Sequence, residues 1–101
     1  MGVLAIEKTE VLSPLLGDNP YTKVIEFFLA NRNSEFTVTE IAENSEISRT
    51  TLWIKIIDNL LNDGIITKTR EIGTAKLYKL NLQSEKAKIL IGLYDKLKRE
   101  Q

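Results

Sequence analysis

Residues 48 to 55 gather hydroxyls, one aromatic ring and two cations in a short span: Ser48, Arg49, Thr50, Thr51, Trp53 and Lys55. Arg49 and Lys55 can donate to guanine O6 and N7, and threonine methyl groups can touch the methyl of thymine. Trp53 suits either packing against a phosphate or sugar, or a place in the core. A second set, Lys68, Arg70, Thr74 and Lys76, suits contact with the phosphate backbone or entry into the minor groove. The plain alternative for that set is a solvated hairpin. Thr39 and Ser48 stand where helices begin, and backbone N–H groups and the helix dipole favour a phosphate there. Together these residues point to binding of double-stranded DNA.

The composition weighs against catalysis. The chain of 101 residues holds neither cysteine nor histidine, which removes disulfides, thiolate metal sites and the commonest general base and metal ligand. Asp58 and Asp63 are carboxylates, but no nucleophile–base pair and no phosphate-binding glycine loop accompany them. We therefore expect no enzyme, no cofactor and no metal. No apolar run approaches the roughly 20 residues of a membrane span, and the amino terminus lacks the order of a signal peptide. The expectation is a soluble, cytoplasmic protein without membrane contact.

Net charge is zero, yet it is unevenly spread. Up to Glu46 three basic residues face eight acidic ones; from Ile47 onward eleven basic residues face six acidic ones. A neutral protein can present a positive face, and that face is what a phosphate backbone meets.

The candidate residues need elements to hold them. Asn19 and Pro20 begin a first helix that runs to about Ala30, with Tyr21, Val24, Ile25 and Phe28 inward and Phe27 beside them. Glu35-Phe36-Thr37 suits a very short strand. Thr37 and Glu40 have the spacing of a capping box, opening a helix from Val38 to about Asn44 with Val38 and Ile41 inward. Ser45-Glu46-Ile47 is a turn, and Ser48 caps a second helix whose apolar face is Leu52, Ile56 and Leu60. Gly64 ends it. Two helices joined by so short a turn make a helix-turn-helix. The β-rich run 65–70 and the alternating run 75–80 form a hairpin joined by Glu71-Ile72-Gly73-Thr74, lying on the helices through Ile66, Leu77 and Leu80.

Two flanking pieces complete the division of the chain. Residues 1–19 form an amino-terminal extension whose apolar residues include Val3, Leu4, Ile6, Val11, Leu12, Leu15 and Leu16, interrupted by Pro14. Residues 20–80 form the helix-turn-helix with its hairpin. Residues 81–101 carry a last helix capped by Ser84, with Ala87, Leu90, Ile91, Tyr94 and Leu97 on one stripe, widened by Ile89 and Leu93. Such a stripe either closes the core or pairs with a second copy, and we expect pairing. The fold class expected is mainly α with a small β-hairpin wing, a winged helix-turn-helix with an added dimerisation helix.

The stretches FTVTEIAENSEISRTTLW and LLNDGIITKTREIGTAKLYKLN resemble the winged helix-turn-helix regulators of archaea, the ArsR/MarR-like group. SPLLGDNPYTKVIEFFL resembles a subset from archaeal genomes and mobile elements. The resemblance spans roughly residues 12 to 95. It implies a transcription regulator; a similar domain serves an archaeal plasmid-partition adaptor that spreads along DNA. The metal-sensing cysteines of some ArsR-like members are absent, so that activity is not implied. One departure concerns Gly64, which lies one residue later after Leu52 than in the family pattern. An extra residue turns one end of a helix by about 100° against the other, and a local bulge is one way to absorb it.

The function expected is sequence-specific DNA binding by a homodimer on a palindromic or near-palindromic site, with recognition helices about one turn apart, roughly 34 Å. Partition-type binding on a centromere-like site is the alternative within DNA binding. A protein-interaction module is the alternative outside it.

Overall fold

The computed structural model describes residues 10–100, apart from the side chains of Leu52, Trp53 and Ile54. Val3, Leu4 and Ile6 of the extension therefore lie outside the described residues. In chain order the elements are α1 (Ser13–Leu16), α2 (Pro20–Ala30), β1 (Phe36–Thr37), α3 (Val38–Ser45), α4 (residues 49–62), β2 (Ile66–Ile72), β3 (Ala75–Leu80) and α5 (Glu85–Arg99). The chain is mainly helical with one hairpin and a carboxy-terminal helix, a topology compatible with a winged helix. The strands form one antiparallel sheet in the order β1-β3-β2. No helix among the described residues is long and apolar enough to cross a membrane.

The amino termini of the helices carry the expected caps. The Asn19 side chain accepts from the Thr22 N–H at 3.0 Å, with Pro20 in the first turn of α2. Thr37 Oγ1 accepts from the Glu40 N–H at 3.2 Å while Glu40 Oε1 accepts from the Thr37 N–H at 2.8 Å. Ser84 Oγ accepts from the Ala87 N–H at 3.3 Å. Each cap satisfies a donor that a helix start leaves without an intrahelical partner.

Helix α2 is buried more completely than its amphipathic pattern suggests: Thr22, Val24, Glu26, Phe27, Phe28 and Leu29 are all buried, whereas Tyr21 and Ile25 are half-buried. The cause is its central place. It packs against α1, α3, α4, α5 and β3, so little of its circumference meets water. Phe27, Phe28 and Phe36 form an aromatic cluster with ring centroids 4.6 to 6.4 Å apart. Val11 and Leu12, just before α1, are buried in the same core. Their N–H groups both donate to the Glu26 carboxylate, and Ser13 Oγ donates to it at 3.2 Å. A buried acid thus fixes the end of the amino-terminal extension onto α2.

The carboxy-terminal helix departs from its expected role. Ala87 and Tyr94 are 0% and 1% exposed within a single chain, and Leu90, Ile91 and Leu97 pack against the same core. The stripe expected to meet a second copy is the one α5 turns toward its own domain. The helix is further held by a bidentate pair between Arg32 and Asp95, with N···O distances of 2.7 and 3.1 Å. That guanidinium holds the Asp95 carboxyl below its ordinary pKa. Exposed apolar side chains on α5 are instead Ile89 and Leu93.

Candidate nucleic-acid interface

The pair expected as a helix-turn-helix is α3, a tight turn and α4. Helix α3 ends at Glu46, whose φ of 59° puts a non-glycine residue in the left-handed region. The Ile47 N–H then reaches back to the Ala42 carbonyl at 3.1 Å, closing the helix end. Ser48 follows in the place expected for a cap: its Oγ accepts from the Thr51 N–H at 3.0 Å and donates to Thr51 Oγ1 at 2.8 Å. Helix α4 is not uniform. An α-helical turn at Arg49–Thr51 widens to a π-helical stretch at Leu52–Ile57 and returns to α-helix at Asp58–Asn62. A π-helical turn takes up additional residues without breaking the helix. Gly64 itself has a φ of 74°, and the Ile65 N–H donates to the Leu60 carbonyl at 2.9 Å.

The hairpin is longer and its turn tighter than the sequence suggests. Strand β2 continues to Ile72, which pairs with Ala75, so the loop is only Gly73-Thr74. Gly73 takes a φ of 62°, as a two-residue hairpin turn demands. A register shift between Lys68 and Arg70 marks a bulge at Thr69. Leu77, Tyr78 and Leu80 of β3 are buried together with Ile66. β3 is the central strand of the sheet and also packs against α2 and α3.

Three of these elements enclose an open groove of about 840 Å³ lined by Thr37, Val38 and Thr39 of the α3 start, Arg49 and Thr50 of the α4 start, and Thr74, Ala75 and Lys76 at the hairpin tip. It brings together five of the expected residues, Thr39, Arg49, Thr50, Thr74 and Lys76, all exposed. The lining thus includes the residues at the α3 amino terminus together with two cations, Arg49 and Lys76. The remaining expected residues lie outside its lining. Ser48 and Lys55 are exposed and Thr51 is half-buried. The side chain of Trp53 lies outside what the structure describes.

Lys68 and Arg70 are exposed but engaged. Lys68 Nζ lies 2.6 Å from Glu71 Oε2, and hydrogen bonding to that carboxylate raises the lysine pKa and lowers the glutamate's. Arg70 lies 2.8 Å from Glu35 Oε2, and Thr69 Oγ1 donates to the same carboxylate. The Thr69 hydrogen bond, followed by that from Arg70, lowers the Glu35 pKa. The pairing of Glu35 with the hairpin had no signal in the sequence, because 34 residues separate it from Thr69. Thr37, Val38 and Ala75 were also absent from the expected set; they line the groove through backbone position rather than distinctive chemistry. Among the described residues, no group of acidic side chains is placed to hold a metal. Compared with protein-family models, curated proteins and solved structures, the chain matches none of them.

Proposed function

We propose that this protein binds double-stranded DNA, with the start of α4 in the major groove and the β2–β3 hairpin on the neighbouring backbone or minor groove. The observation that carries this reading is the groove between α3, α4 and the hairpin tip. Its lining supplies Arg49 and Thr50 for base edges, while Thr39, Thr74, Lys76 and the α3 amino terminus suit phosphate oxygens. A duplex backbone seated there would meet the α3 amino terminus together with Arg49 and Lys76. The role that follows is regulation of transcription by a homodimer on a near-palindromic site.

The test is fluorescence anisotropy of a labelled duplex, taken from fragments selected out of the source genome, across a series of salt concentrations. Phosphate contact makes log affinity fall linearly with log salt, by about 0.9 per neutralised phosphate. Affinity independent of salt, or no affinity for any selected duplex, overturns the reading. One observation favours a second reading, a protein-interaction module: two hairpin cations are already paired with acids, and Ile72 near the tip is exposed. Under that reading a partner protein co-purifies and the selection yields no DNA.

A further inference from the structure

We propose that Glu35 is a specificity-determining residue of the DNA interface: it withholds Arg70 from sequence-independent contact with phosphate. The inference rests on the DNA-binding reading above and adds to it a residue that has the opposite charge from a DNA ligand.

The geometry is a clasp between two elements. Glu35 lies in the loop just before β1, and its two carboxylate oxygens serve different partners. Oε2 sits 2.8 Å from Arg70 Nη2, while Oε1 accepts from Thr69 Oγ1. Thr69 is the bulged residue of β2, and its hydroxyl also lies 3.4 Å from the Leu77 carbonyl. The bulge therefore turns Thr69 and Arg70 together toward β1 and their shared acid. Lys79 adds a further attraction to the same carboxylate.

Arg70 is not buried by this arrangement. Its side chain keeps 59% of its exposure against 30% for Glu35, so the guanidinium remains within reach of solvent and of an approaching anion. A phosphate must compete with a carboxylate that is already in place. Exposed ion pairs of this kind are weak, so the clasp opens for a phosphate yet still taxes a loose encounter. Binding to arbitrary sequence depends almost wholly on such phosphate contacts, whereas binding to a cognate site adds base contacts. A counter-charge that silences one cation lowers the first kind of binding more than the second. The Lys68–Glu71 pair differs, since it joins residues three apart on one strand and links no second element.

The experiment measures anisotropy of the full chain on a labelled random-sequence duplex of about 20 base pairs, a length that spans two helical turns. Wild type, Glu35→Gln, Glu35→Ala, Arg70→Gln and Glu35→Gln/Arg70→Gln are titrated at several salt concentrations. Both Glu35 variants are expected to bind about two- to fivefold tighter than wild type at low salt, matching an exposed ion pair. Their salt dependence should steepen by about 0.9, one phosphate contact. In the double variant the gain should disappear when it is compared with Arg70→Gln alone. Equal or weaker binding by both Glu35 variants overturns the inference, because the clasp is then purely structural. A gain that survives Arg70→Gln overturns it too, since it then reflects net charge alone. In those cases wild-type binding to selected duplexes still stands. Absence of binding to the random duplex by every variant and by wild type overturns the inference, and absence of binding to the selected duplexes as well overturns the proposed function.

Discussion

Arg49 carries the heaviest expectation of any single side chain. It is exposed in the first turn of α4 and lines the groove with Thr50, and among the described residues no salt bridge engages it as Glu35 engages Arg70. Arg49→Ala should weaken binding to a selected duplex by about 1–3 kcal/mol and relax its sequence preference, read by competition with single-base variants of the site. An unchanged preference would remove Arg49 from base readout. Glu46 makes a separate, purely structural prediction. A non-glycine residue in the left-handed region costs about 1–2 kcal/mol, and an acid at a helix carboxy terminus opposes the dipole. Glycine relieves both but adds freedom to the unfolded chain, costing about 0.5–1 kcal/mol. Glu46→Gly should therefore stabilise the domain by up to about 1 kcal/mol and raise the melting temperature by a few degrees. A lower melting temperature would mean that the Glu46 side chain makes contacts worth more than the strain. Nothing in the sequence marks Glu46 for this conformation, because the left-handed position at a helix end normally announces itself by glycine, as at Gly64.

Local signals made the elements legible. Asn19-Pro20, the Thr37–Glu40 box, Ser48, Gly64, Gly73 and Ser84 each specify a backbone state within a few residues, and each sits where the structure needs it. What local chemistry could not supply were partners distant in sequence. Glu26 reads as a polar residue on a helix, yet it is 6% exposed and receives the N–H groups of Val11 and Leu12. Likewise the orientation of α5 depended on which neighbour covers Ala87 and Tyr94, and its apolar stripe fits its own core as well as a twin. A local bulge was one expectation for this helix, and the coordinates place a π-helical stretch over Leu52–Ile57. Among the groove residues, the two cations and three threonines were legible as donors. Their convergence follows from the turn at Glu46 and the two-residue hairpin loop. The Glu26 anchor gives a prediction at this scale. Glu26→Ala leaves two buried N–H groups without an acceptor, which should cost about 1–3 kcal/mol. Limited proteolysis should then cut near Leu15 and Leu16 before the rest of the domain unfolds, with fragments identified by mass. An unaltered melting temperature and cleavage pattern would show that the extension is held by apolar contacts alone.

The described residues measure 42 × 30 × 26 Å and the chain has no net charge, so the proposed attraction to DNA has to come from one face. The proposed homodimer has to use a surface that a single chain leaves open. On α5 that surface holds Ile89 and Leu93, whereas Leu90 and Ile91 pack against the core. Ile89→Glu with Leu93→Glu should give a folded monomer in sedimentation analysis, against a dimer for wild type. A monomeric wild type would remove the homodimer and with it the palindromic site. The claim on which everything else depends is where DNA sits, and amide chemical-shift mapping with a selected duplex addresses it directly. The account predicts shifts concentrated at residues 37–39, 49–51 and 74–76 that shrink as salt rises. Shifts confined to α5 or the α1 side, or none at saturating duplex, would contradict it.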